Sequence, residues 1–258
     1  MYRPLSQLLI AFGVIVATLP ISTIRADIVA VPETELTMNS ELRKDIQRTV
    51  AFLQNDHYLP RNLDDRLSAN ILETYLERLD PIKLHFTQQD VDRLKINESK
   101  IDDYMKLADA EFAFEIYKLY RQRIKQRTEL VLELLKEEFD FSVDENMNVD
   151  RDNHQWAKNE DEIAEKWRKR IKNDVLQQLL AETAEDEIRD NLARRYARQR
   201  DVVYQLKPDE VFEIFMNAYT KELGPHTQYM SHITAENFRI NMSLSLEGIG
   251  AALQTDED

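Results

Sequence analysis

Glycine is absent from residue 14 to residue 223 and proline from residue 82 to residue 207. A chain that avoids both helix breakers over so long a run is expected to be mainly helical. Apolar residues fall at helical spacing throughout it. Leu42, Ile46, Val50 and Leu53 follow a cap at Asn39 or Ser40, and Leu63, Leu67, Ile71, Tyr75 and Leu79 lead up to Asp80 and Pro81. Thr87 with Asp90 reads as a capping box for a short helix ending near Leu94.

The longest stripe carries Ile101, Met105, Ala108, Phe112, Ile116, Leu119, Ile124, Val131 and Leu135, one amphipathic helix broken at most once. After an irregular stretch from about Asp140 to Asn159 come Ile163, Trp167, Ile171, Val175 and Leu179, then Ile188, Leu192, Tyr196 and Val203. Pro208 suits the first turn of a further helix through Val211, Phe212, Phe215 and Tyr219, with Gly224 at its end, and Thr234 is placed to cap a final short helix over Phe238. Every stripe needs a covering helix, so an irregular multi-helix bundle is the expected architecture. Trp156, Trp167 and the tyrosines read as core, and no solenoid repeat is visible.

The N-terminus reads differently. Arg3 lies in a short basic segment before the apolar Leu8–Leu19, which has the length of a signal-peptide core rather than of a membrane span, and Ala26 or Ala30 precedes the cut. An uncleaved anchor is the alternative. The chain has no cysteine, which excludes disulfides and lipoprotein processing. Its formal charge of −14 becomes −16 if residues 1–26 leave with their two arginines, a surface that repels nucleic acid. The expected organisation is a signal peptide over 1–26, an extended segment over 27–38, a helical domain over 39–240 and a junction with β-structure over 241–258.

No candidate chemistry stands out. His57, His85, His154, His226 and His232 share no metal-ligand spacing, and His226 reads as a structural hydrogen-bonding group tying the last helix to the β-unit after it. Asp144, Asn146, Asn148, Asp150 and Asp152 alternate like a calcium loop, yet Val149 stands where that loop needs glycine and Gln155 where it needs glutamate. A polar connection is the better reading. The basic runs Arg121–Arg127 and Arg194–Arg200 are flanked by acids and read as solvated faces or intramolecular ion pairs, and the second run is also placed to face a further domain. Asp102 with Asp103 and Glu137 with Glu138 are adjacent in sequence and so point in different directions around a helix. No metal, cofactor or catalytic residue is expected in this sequence.

The last residues are the most specific. Gly224-Pro225-His226-Thr227, then Tyr229 and Ser231, are followed by Met242 to Ala251 and on to Gln254, an apolar run read as β-structure. A lone strand leaves both edges unpaired, so its mate is expected outside the sequence. This pattern resembles the junction between the helical N-terminal domain and the PDZ domain in tail-specific (carboxy-terminal processing) serine peptidases of Gram-negative bacteria. Weaker similarity runs through Leu76–Leu94, Asp140–Ile163 and Arg194–Arg200, which extends the resemblance from about residue 40 to the end. Gly224 departs from the family, which usually has aspartate there.

The resemblance implies junction residues Pro225, His226, Thr227, Tyr229, Ser231, Leu246, Glu247, Gly248 and Gly250, all structural, ahead of an incomplete PDZ domain. It also implies a periplasmic endopeptidase that acts on proteins with apolar C-termini through a serine nucleophile and a lysine base, both beyond this sequence. Ser243 and Ser245 belong to the junction and sit in no nucleophile elbow. The expected role is scaffold or regulator, inactive alone. Its partners would be the PDZ and peptidase core of the same protein, with protein substrates or an adaptor, and with no nucleic acid and no membrane span once the signal is removed. The alternative is a stand-alone periplasmic helical binding module with no enzymatic role.

Overall fold

A computed structural model describes residues 29–59, 61–148 and 154–243. Within them the glycine-free run folds into α1 (Ser40–Asn55), α2 (Asp65–Leu79), α3 (Gln88–Lys95), α4 (Ile101–Lys106), α5 (Glu111–Leu134), α6 (Glu160–Leu180), α7 (Glu185–Gln205) and α8 (Pro208–Lys221), and α9 (His232–Ser243) follows Gly224. The protein is a mainly helical bundle. Between described residues the β-pairing is a single isolated bridge, Thr87 with Ala157.

The helices begin where short polar side chains can take the first free N–H groups. Asn39 accepts from Glu41 and Leu42, Asp64 from Leu67, and Asn159 from Glu162, while Thr87 and Asp90 form the reciprocal capping box. Pro208 opens α8. Helix ends had to be made without glycine, and Ala108 (φ 55°) and Glu182 (φ 60°) take the left-handed conformation just past α4 and α6, as Lys83 (φ 52°) does in the turn after α2. Ala108 is the break in the long stripe. It separates α4 from α5, and Asp109 then accepts the N–H of Glu111 to start the new helix.

Two apolar cores result, joined by α5. The first gathers α1, α2, α4, α8 and the first half of α5 around Tyr75, Phe114, Phe215 and Tyr219. Rings meet edge to face there, Phe215 with Tyr75 at 5.6 Å and with Phe112 at 5.0 Å. The second core packs Val131 and Leu134 of α5 against Ile163, Trp167 and Ile171 of α6 and Ile188, Leu192 and Tyr196 of α7. Each fully buried large side chain contributes about 1.5–3 kcal/mol of transfer free energy, so a 24-residue helix with a face in both cores is the natural spine.

Several expectations change. The segment before α1 is not simply extended: Glu33–Glu35 forms a 3-10 turn, Leu36 and Met38 are buried in the first core, and Val31 donates its N–H to Tyr204 in α7. Trp156 is half-buried rather than core, its ring against Phe86 with the Lys83 ammonium 5.4 Å from its centre. Leu179 is exposed, because α6 outruns the second core. The final helix starts earlier than Thr234 and runs later than residue 240. Ser231 accepts the Thr234 N–H, and Asn241, Met242 and Ser243, expected at the start of the β-segment, continue α9 as helix. The predicted leader over 1–26 and the predicted strand from Leu244 onward lie outside the described residues. No helix among the described residues is long and apolar enough to cross a membrane.

Candidate functional site

The segment after α8 is held from three sides. Asn217 occupies a buried position within the apolar stripe of α8, and its amide meets both backbone groups of Tyr229: Tyr229 N–H donates to Oδ1 at 2.9 Å, and Nδ2 donates to the Tyr229 carbonyl at 2.9 Å. One turn earlier Glu213 accepts from the Ser231 N–H at 3.2 Å and the Thr234 hydroxyl at 2.7 Å. The Tyr229 ring stands edge to face on Phe212 at 5.5 Å, and its hydroxyl donates to Asp45 of α1 at 3.2 Å. Burial, then the Asp45 carboxylate, pushes that phenol well above its ordinary pKa, so it remains a donor.

The third tie comes from the turn after α1. His57 Nε2 and Thr227 Oγ1 lie 2.9 Å apart, and the other ring nitrogen faces the Leu59 carbonyl at 3.1 Å. A hydroxyl and an imidazole at that distance invite a nucleophile–base reading. The pair lacks the supporting parts: the group behind the ring is a backbone carbonyl rather than a carboxylate, and Thr227 is half-buried at a tie between two turns. The Ser231 hydroxyl is occupied by Thr234 on both its donor and acceptor sides, and Ser243 donates to the Ile240 carbonyl.

The predicted junction residues therefore divide. Tyr229 and Ser231 are held on α8 by Asn217 and Glu213, and Thr227 is held by His57 of the turn after α1. Pro225 and His226 are exposed, and among the described residues His226 makes no hydrogen bond; the histidine that ties the junction down is His57. Leu246, Glu247, Gly248 and Gly250 lie outside the described residues. Asn217, Glu213, Asp45 and His57 were not anticipated, and only Asn217 had a visible signal, an amide among apolar neighbours in Phe215-Met216-Asn217-Ala218. Replacing Asn217 with alanine should cost about 2 kcal/mol, because two buried backbone groups lose their partners together. Urea unfolding measures the loss, and hydrogen exchange at the Tyr229 amide should accelerate with it; Asn217→Asp, which keeps only the acceptor, should fall between.

The second polar assembly is the seam between the two cores. The fully buried Asp80 carboxylate accepts the N–H groups of Leu84, His85 and Phe86 at 2.8–3.0 Å. Asp90, also buried, takes a two-pronged bond from Arg123, and Arg127 joins Glu160 to the His85 carbonyl. Arg121 is buried with its guanidinium 4.1 Å from the centre of the Tyr204 ring, and two of its nitrogens have no hydrogen-bond partner. The Arg121–Arg127 run is therefore structural rather than a solvated face. Arg194, Arg195 and Arg198 line the outer side of α7, with Arg195 on Asp174. Asp102 is buried and bound to Ser68 and Lys106, while Asp103 is exposed, so the two do not form a working pair. Among the described residues no three His, Asp or Glu side chains gather as a metal site. The calcium-like segment lies partly outside the described residues, at 149–153.

His85 gives the seam a pH dependence. Burial first, and then the Arg127 and Arg170 charges, hold its pKa below the ordinary 6.5 against the opposing pull of Asp80. Nδ1 has no partner, and the ring lies between Tyr120 at 5.6 Å and Trp167 at 5.9 Å. The folded protein thus binds fewer protons at this site than the unfolded chain. Its contribution to stability is unpenalised above about pH 6.5 and declines as pH falls toward the folded value. Between pH 7.5 and 5.5 the unfolding free energy should drop more steeply for the natural protein than for His85→Asn.

Comparison with known proteins finds similarity over most of the chain. Residues 49–232 match the family described as the tail specific protease N-terminal domain. Over 222 residues the chain is 32% identical to a tail-specific protease of Haemophilus influenzae, an alignment that takes in 86% of this chain and 32% of that protein. The chain thus spans about a third of the length of that relative.

Proposed function

Because this chain belongs to the tail-specific protease family, through that family's N-terminal domain, we propose that it is the helical scaffold of an exported serine endopeptidase and carries no peptidase activity alone. The enzyme acts in the periplasm on proteins with apolar C-terminal ends, with a PDZ domain beginning after α9 and the serine and lysine beyond it. The helical domain positions the PDZ domain against the peptidase core and offers a surface to substrates or an adaptor. The observation that supports this reading is the junction: Asn217, Glu213 and His57 bond Tyr229, Ser231 and Thr227, which ties the chain leaving α8 back to the helical body. A scaffold that orients a further domain needs its exit tied to rigid elements in this way.

Two preparations test it. The chain alone, and the chain continued through whatever its gene encodes downstream, are each incubated with an unstructured protein ending in apolar residues. Cleavage only by the longer protein is the expected result. Cleavage by the chain alone would place chemistry within these residues and overturn the reading; a gene that ends at this junction would replace it with a free-standing helical binding module.

A further inference from the structure

A cavity of about 320 Å³ opens between α5, α6 and α7, on the seam between the two cores. Its walls come from both sides: Tyr120 and Ile124 belong to the first core, Trp167 and Tyr196 to the second. His85 lies between them, its ring 5.6 Å from Tyr120 and 5.9 Å from Trp167, and Trp167 meets Tyr196 edge to face at 5.5 Å. Most buried polar groups of the lining are engaged. Trp167 donates to the Leu84 carbonyl, the Tyr196 hydroxyl to Asp174, and the Thr128 hydroxyl to the Ile124 carbonyl. Two are not. Nδ1 of His85 is buried without a partner, and the hydroxyl of Tyr120, a residue 9% exposed, makes no hydrogen bond among the described residues. Burial raises the Tyr120 pKa and lowers that of His85, so both stay uncharged around neutral pH.

The charges around the cavity select what it can hold. Its lining has no carboxylate, and both of its guanidiniums are engaged, Arg127 by Glu160 and Arg200 by Asp201. A cation would meet two arginines and no counter-ion, and an anion would find neither arginine free. A purely apolar occupant would leave the Tyr120 hydroxyl and the His85 nitrogen unsatisfied. What remains is a neutral molecule with a flat apolar body, suited to edge-to-face packing on these rings, and a polar group on its own edge. A volume at the lower end of ligand cavities admits one ring or two fused rings. We propose that this cavity binds a small neutral aromatic molecule bearing a hydroxyl or a ring N–H, of the phenol or indole class, held among Tyr120, His85, Trp167 and Tyr196. Such a molecule touches both cores at once, so its binding stabilises the seam. The site uses no residue of the junction, and its test is independent of the cleavage test.

The experiment is a fluorine NMR titration of the purified chain with fluorophenol and fluoroindole, beside fluorobenzene, fluorobenzylammonium and fluorobenzoate. Fluorophenol should bind about tenfold more tightly than fluorobenzene, the gain from satisfying two modest hydrogen-bonding groups, and more tightly than either ion. Tyr120→Phe keeps the ring and loses the hydroxyl; it should remove most of that advantage and leave fluorobenzene unchanged, with circular dichroism checking its fold. The comparison of ligands on the natural protein needs no variant. In a Trp156→Phe background, fluorophenol should alter Trp167 fluorescence, and the midpoint of thermal unfolding should rise with its concentration. Equal affinity for fluorophenol and fluorobenzene, tighter binding of either ion, a preference that survives Tyr120→Phe, an unaltered Trp167 signal, or no binding at millimolar concentration would each overturn the proposal.

Discussion

Asp90→Ala should lower the free energy of unfolding by about 3–5 kcal/mol, the cost of breaking a buried ion pair from one side. The carboxylate is 1% exposed and fully engaged: Arg123 donates Nε at 2.8 Å and Nη2 at 2.6 Å, and Thr87 adds its N–H at 3.1 Å and its hydroxyl at 3.0 Å. Burial alone would push this carboxyl up, yet the Arg123 and Thr87 bonds more than reverse it, and the group sits below its ordinary 3.8. Alanine removes the acceptor and leaves a guanidinium with 16% exposure and no carboxylate at full contact, its remaining acid being Glu160 at 3.6 Å. The capping box of α3 goes as well. Removing both partners, as Asp90→Leu with Arg123→Met, should cost much less than the sum of the single changes, because no charge is then stranded. A single-variant loss under about 1 kcal/mol would mean that solvent screens the pair as it does at a surface. Acid should act in the same direction: the lowered pKa makes the contribution complete above about pH 4, and it is lost as pH falls through the folded value.

How much of this was legible depends on the kind of force that sets each feature. Helix starts are legible at Thr87–Asp90 and, as one of two candidates with Ser40, at Asn39, because a cap is decided by residues within one turn. Helix stops were harder. Ala108 and Glu182 adopt left-handed backbone that their side chains disfavour, so nothing at residue 108 marks where the stripe from Ile101 to Leu135 breaks. The basic run Arg121–Arg127 was read with ion pairs in view, but not as interior. Its partners Asp90, Glu160 and the His85 carbonyl arrive from more than thirty residues away in sequence. Thr227, Tyr229 and Ser231 are named by the junction pattern, but the groups that hold them are not legible in it, since His57 and Asp45 are more than 150 residues distant. Local chemistry is written locally. Long-range pairing is legible only where, as at Asn217, a polar residue interrupts an apolar stripe.

The second large effect belongs to Asp80, which has no exposure and serves three backbone donors at once. Those donors fix the short irregular segment between α2 and α3, whose side chains divide between the cores. Leu84 enters the second core and Phe86 the first, while the Leu84 and His85 carbonyls take Trp167 Nε1 at 2.8 Å and the Arg127 guanidinium. One carboxylate therefore holds a wedge shared by both cores. With alanine there, three enclosed N–H groups lose a charged acceptor, and at about 1–3 kcal/mol for each the loss should come to about 4 kcal/mol or more. The Asp80→Asn side chain would keep one oxygen but turn an NH₂ toward a remaining N–H, so this variant should recover less than half. The two tryptophans distinguish where the damage falls, since Trp156 packs on the first core and Trp167 lies in the second. In Trp156→Phe and Trp167→Phe backgrounds, fluorescence tracks one core at a time. Asp80→Ala should move both urea midpoints down together, because the wedge belongs to neither core alone. If the Trp167 signal moved while the Trp156 signal stayed, the carboxylate would be a local anchor of α6 and the two cores would be coupled through α5 alone.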